Sequence, residues 1–153
     1  MTFPNGSNAT DNFVIDNAKK GAQGIRTDSS VVKTGFVLAQ GTVTCGLTGI
    51  KHNFAANLSG TVKGTGRIAY VGQVILDGNG NVSGALTRSL NGTIATVPVT
   101  GTYTENANCT GTAQITPSGH STVNFNFVVV NVGLEMLLIE TDAGTVVSGT
   151  MQQ

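Results

Sequence analysis

Tryptophan is absent from this chain of 153 residues, which holds only two tyrosines, two histidines, two cysteines and three prolines. A carbohydrate-binding adhesin lacks its usual stacking rings here. Charge is scarce as well. Charged side chains make up 10% of the chain, and eight basic residues cancel eight acidic ones. A polyanion binder needs a basic excess to neutralise phosphates, so nucleic acid is not an expected partner. A long solvated helix or coiled coil would need far more Glu, Lys and Arg. No apolar run reaches the roughly 18 residues of a membrane-spanning helix. The opening Met1-Thr-Phe-Pro-Asn-Gly has no basic segment followed by an apolar one, so a secretory leader is absent or already removed.

Catalytic and metal motifs are equally sparse. His52 and His120 are the only histidines, no H-E-x-x-H occurs, and no nucleophile motif flanks either one. No second Cys or His lies two to four residues from Cys45 or Cys109, so the cysteines do not form a metal motif. The expectation is a protein without cofactor or metal, and a non-enzymatic role is favoured. A disulfide is the leading reading of Cys45 and Cys109, with two buried thiols as the alternative. A bridge would imply an oxidising compartment.

What the chain has in plenty is threonine (22), glycine (21), valine (18) and asparagine (14). Thr and Val are stiff at χ1 and suit pleated strands. Gly and Asn supply the positive φ of tight hairpin turns. A polar but nearly neutral surface repels its own copies weakly, which suits an extracellular or self-assembling protein.

From Cys45 onward, strand and turn signals alternate. Arg67 to Leu76 ends at Asp77-Gly-Asn-Gly80, and Val82 to Leu90 ends at Asn91-Gly92. Thr93 to Thr104 places Ala95, Val97, Val99 and Tyr103 on one face, with Pro98 opposite as a sign of an edge or a bulge. Thr110 to Thr116, Val123 to Asn131, Leu134 to Thr141 and Thr145 to Met151 follow, and Leu47 to Leu58 is a weaker strand. The fold class is all-β: an eight- to nine-stranded antiparallel meander, with a barrel favoured over a sandwich. Residues 45–153 form this domain. Residues 1–44 read as an extended N-terminal arm, irregular up to Ser30, with one good strand over 31–40. That strand carries Val32, Thr34, Phe36 and Leu38 on one face and Val31, Lys33, Gly35 and Val37 on the other.

Several stretches of the domain resemble a group of small secreted bacterial proteins of the Acidobacteria type. They are Leu76-Asp-Gly-Asn-Gly-Asn-Val-Ser-Gly84, Thr100-Gly-Thr-Tyr-Thr104, Asn108-Cys-Thr-Gly-Thr112 and Leu138 to Gly149. Members typically have a Cys near the mature start and another in the Asn-x-Cys-Thr-Gly-Thr stretch, and Cys45 and Cys109 match both. The resemblance implies export and an eight-stranded barrel similar to allene oxide cyclases and dirigent proteins. It is nearly silent on chemistry. The arm before Cys45 departs from the group.

Asp77-Gly-Asn-Gly-Asn81 opens like a calcium loop, but Val82 replaces the sixth-position Gly and Arg88 the twelfth-position Glu, so a hairpin turn is expected. Glu105, Glu135 and Glu140 are the only glutamates. Glu135 and Glu140 are five apart and face opposite sides of a strand, with surface positions expected for both. His120 is expected in a solvated loop.

Two functions follow as expectations. The leading one is a secreted structural subunit, a homopolymer on the cell surface or in a filament. Its residues Val31, Val32, Phe36, Val37 and Leu38 would dock onto a neighbouring copy by donor-strand complementation. The alternative is a small-molecule-binding or cyclase-type barrel. Its apolar lumen would draw on Tyr103, Phe125 and Phe127, with Glu135 or Glu140 as a placed acid.

Overall fold

In the computed structural model, residues 10–15, 21–27 and 33–153 are described. Val31 and Val32 of the expected docking strand lie outside them. The chain divides into two compact units, residues 1–39 and 40–153.

The first unit is a three-stranded antiparallel sheet of β1 (Asp11–Ile15), β2 (Gly21–Arg26) and β3 (Lys33–Leu38), in that order. The segment read as irregular up to Ser30 therefore holds two strands. Its polar and glycine-rich composition hid them, because β2 has only Ala22 and Ile25 as apolar side chains larger than glycine. Phe13 pairs with Gly24, and its ring lies where a Gly24 Cβ would stand. The open glycine surface is thus covered by an aromatic neighbour.

The second unit is a closed eight-stranded barrel. Its strands are β4 (Asn53–Val62), β5 (Gly66–Leu76), β6 (Asn81–Leu90), β7 (Thr93–Glu105), β8 (Thr110–Pro117), β9 (Val123–Val130), β10 (Glu135–Glu140) and β11 (Thr145–Gln152). Each pairs antiparallel with the next, and β11 returns to pair with β4 along Thr145↔Val62 to Gln152↔Ala55. The all-β meander barrel expected from the turn signals is what forms. Asn91 and Gly92 both take positive φ (48° and 85°), as a two-residue hairpin turn requires. Gly60 and Gly149 let β4 and β11 approach closely: a Cβ on Gly60 would strike the Val146 carbonyl, and one on Gly149 the Asn57 carbonyl. Small residues here help to complete the ring.

Two local expectations need correction. Leu47–Ile50 is a 3-10 turn rather than the start of a strand, entered through Gly46 at φ 141°. Pro98 lies in neither an edge nor a bulge, since closure removes the edge. It sits opposite Ala85 in β6, and its carbonyl accepts from Ser118 N. In an antiparallel strand the N and C=O of one residue face the same neighbour. The missing N–H therefore points to where β8 ends and turns away, and no ladder bond is lost.

The core is the barrel interior. Alternate residues point inward, and Val97, Val99 and Tyr103 of β7 and Phe125, Phe127 and Val129 of β9 are buried as their periodicity requires. One end is covered by the segment leading into β4. Ile50 and Phe54 are fully buried there, and Val43, Cys45 and Leu47 pack on the core. Three tethers hold this cover. Gln40 accepts from Val132 N and donates through Nε2 to the Val129 carbonyl. Tyr103 Oη donates to the Leu47 carbonyl. Cys45 and Cys109 form a disulfide with a Cα–Cα distance of 5.0 Å.

The bridge closes a loop with a sequence separation of 64. The chain-entropy relation gives about 4 kcal/mol for a loop of that size. Replacing both cysteines by serine should lower the unfolding free energy by about that amount in urea titrations. A loss below about 1 kcal/mol would show that the cover holds without it.

Candidate functional site

The barrel encloses an apolar cavity of about 70 Å³. Its wall comes from inward positions of the strands, among them Leu58, Val74, Leu86, Phe125, Leu138 and Met151. Three groups in the wall can ionise or hydrogen-bond: Tyr70, Tyr103 and Glu140.

Tyr103 stands at the covered end. Besides its bond to Leu47, its hydroxyl accepts from Gly78 N at 3.1 Å. Both its roles are filled, and it joins the cover to the β5–β6 turn. Burial pushes the Tyr103 phenol up.

Tyr70 and Glu140 stand toward the other end, where tight turns join β4 to β5, β6 to β7, β8 to β9 and β10 to β11. Tyr70 pairs directly with Arg88 of the neighbouring strand, so the two side chains share the inner face. Arg88 donates through Nη1 to His120 Nε2 at 3.1 Å. Its Nε is buried and has no hydrogen-bond partner. Burial raises the Tyr70 phenol, with the Arg88 charge opposing and the Glu140 charge adding to the shift. Burial also raises the Glu140 carboxyl; a Thr145 hydrogen bond opposes this, and nearby Asp142 adds to it. Asp142 itself is occupied, since its two oxygens take Asn124 N at 2.7 Å and Asn124 Nδ2 at 2.6 Å.

The structure places Tyr103, Phe125, Phe127 and Glu140 in the lumen wall. Glu140 is not the surface residue expected of it. Glu135 is absent from that wall. It is buried at 8% exposure at the far end of β10 and accepts from Gln152 Nε2 at 3.1 Å. The two glutamates therefore do not act together. Tyr70 and Arg88 were missed by sequence reasoning. The signal was present: Ile68, Tyr70, Val74 and Leu76 share one parity in β5, as do Val82, Leu86 and Arg88 in β6. Following it to the strand ends would have put both residues at the rim.

The Asp77-Gly-Asn-Gly80 segment is a turn. Asp77 Oδ1 accepts from Asn79 N (2.7 Å) and Asn81 N (3.0 Å), and Oδ2 from Asn81 Nδ2 (2.7 Å). These bonds hold its carboxyl down at about 2. The carboxylate is spent on its own loop. At the covered end, Glu105 lies within 4.8 Å of both disulfide sulfurs. With the sulfurs bridged to each other, neither is a thiolate ligand. Burial raises the Glu105 carboxyl, and a backbone hydrogen bond from Gly46 opposes the shift.

Most of the described apolar side chains of the first unit stay exposed. They include Phe13, Val14, Ile15, Phe36 and Val37, and Val14 reaches 77%. Phe36, Val37 and Leu38 of the expected docking strand belong to β3, which pairs with β2 of its own chain. Comparison with protein-family models, with curated proteins and with solved structures finds no match to this chain.

Glu140 gives a pH test. A carboxyl raised by folding adds most stability below its ordinary value of 4.5 and loses it as pH rises through the folded value. Glu140→Gln removes the cost of a half-buried charge. It should raise Tm at pH 7, and the gain should vanish below pH 4.5. An equal gain at both pH values would contradict the assignment.

Proposed function

We propose that this protein is a secreted barrel that binds a small apolar molecule in its lumen. One observation carries the reading: Tyr70 of β5 and Glu140 of β10 bring polar groups to the turn end of an otherwise apolar cavity. β10 points Met136 and Leu138 inward and then Glu140. A strand that served packing alone would place an apolar residue there, because even a half-buried carboxyl gives up hydration. A concave apolar wall with a few convergent polar groups is the common form of a small-ligand site. The disulfide is compatible with an extracellular or periplasmic location, and the resemblance to secreted Acidobacteria-type proteins supports export.

Xenon tests the lumen without assuming any headgroup, since dry apolar cavities bind it. Under xenon pressure, the methyl resonances of Leu138 and Met151 should shift saturably. Ala113→Leu, which adds bulk to the wall, should abolish the shift while the chain stays folded by circular dichroism. Unmoved resonances in the wild type would sink the reading.

A second reading has its own observation. Self-association into a filament or surface layer is supported by the exposed apolar side chains of the first unit and by its open sheet edges. The mechanism differs from the one expected, because a closed barrel has no strand edge to receive a donor. Edge-to-edge pairing between N-terminal sheets replaces it. Asp11, Arg26 and Lys33 form one cross-strand row, acidic on β1 and basic on β3. A translated copy would set Asp11 beside Lys33, a head-to-tail contact that does not close. The double change Val14→Lys with Phe36→Lys should turn any oligomer seen by light scattering into monomer. A wild type that is monomeric at millimolar concentration would remove this reading.

A further inference from the structure

Of the residues that line the cavity, Glu140 alone is acidic or basic. It follows Met136 and Leu138 on the inward parity of β10 and pairs directly with Phe125, which also lines the wall. Tyr70 lines the same cavity from β5. In the ring, β11 and β4 lie between β10 and β5, so no ladder joins Glu140 to Tyr70. The Glu140 charge nevertheless acts on the Tyr70 phenol. That interaction crosses the lumen.

What this end of the wall offers is acceptors. A carboxylate has about four lone-pair sites, and Thr145 supplies Glu140 with one donor. The neighbouring charge that acts on Glu140 is the like charge of Asp142. A half-buried carboxylate beside another gains from a cation. The Tyr70 hydroxyl has no hydrogen-bond partner among the described residues. The Tyr103 hydroxyl, at the covered end, already fills both its roles. The chain as a whole carries no net charge, so the negative charge of the lumen is a local feature.

We propose that the lumen takes an aliphatic primary amine in its ammonium form, its alkyl part against the apolar wall and its ammonium between the Glu140 carboxylate and the Tyr70 hydroxyl. The inference rests on the lumen-binding reading and adds the ligand's class to it. An ammonium brings three donors and no acceptor, which matches two acceptors facing each other across a cavity. A carboxylate ligand would meet the like charge of Glu140. An alcohol would fit the wall but leave that charge uncompensated.

Butylamine, butan-1-ol and butanoate are the probes, alike in their alkyl part and different in the head. Each is titrated at pH 7 into the full chain while the Leu138 and Met151 methyl resonances are followed. At that pH the amine is protonated, as a lysine side chain is. Butylammonium should bind saturably and about tenfold more tightly than butan-1-ol, with butanoate the weakest, since a hydrogen bond to a charged group outweighs a neutral one. Glu140→Gln should bring the butylammonium affinity down to that of the alcohol, and Tyr70→Phe should weaken it severalfold. Butanoate binding as tightly as butylammonium, or a preference for the ammonium that survives Glu140→Gln, would overturn the amine assignment. So would the absence of a saturable shift with butylammonium. If xenon still enters the lumen in any of these cases, the cavity reading survives; if xenon fails too, both fall.

Discussion

The pairing of β11 with β4 is the contact on which the rest depends. It turns eight hairpin-linked strands into a ring, and a ring has no edge. Every barrel strand then has a neighbour on both sides, so the main chain offers a partner nothing to pair with. What remains for recognition is the interior, the turns at the two ends, and the separate N-terminal sheet. Closure also gives each strand an inside and an outside, so the parity of a residue decides whether it meets the lumen or water.

The two ends of the ring are built differently. One is covered by the run from Gln40 to Ile50, which the disulfide, the Tyr103 hydroxyl and the Gln40 amide fasten in place. The other ends in short turns and collects Tyr70, Arg88, His120 and Glu140. At the covered end the Tyr103 hydroxyl, the Gln40 amide and Glu135 are hydrogen-bonded within the fold. At the opposite end one guanidinium nitrogen is not.

Much of the barrel was legible because its strands alternate cleanly and its turns carry Asn-Gly and Asp-Gly. β7 and β9 announce their inner faces through Val97, Val99, Phe125 and Phe127. Leu47–Ile50 misled because its composition suits a strand, and only the tertiary cover makes it a 3-10 turn. β1 and β2 were invisible because β1 is only five residues long and β2 carries two glycines, so neither has much periodicity to read. Glu140 was misplaced because a lone carboxyl normally belongs on the surface, and Arg88 was overlooked for the same reason. Composition cannot show that a charged residue stands at the rim of a lumen. Strand parity carried over several turns can.

Hydrogen exchange across the closing seam tests the central claim most directly. If β4 and β11 are paired along their length, the ladder amides of Asn53–Val62 and Thr145–Gln152 should be as slow as those between β6 and β7. Fast exchange confined to the facing amides of β4 and β11, with the other ladders protected, would mean an open sheet. An open sheet would have a free edge and no enclosed lumen.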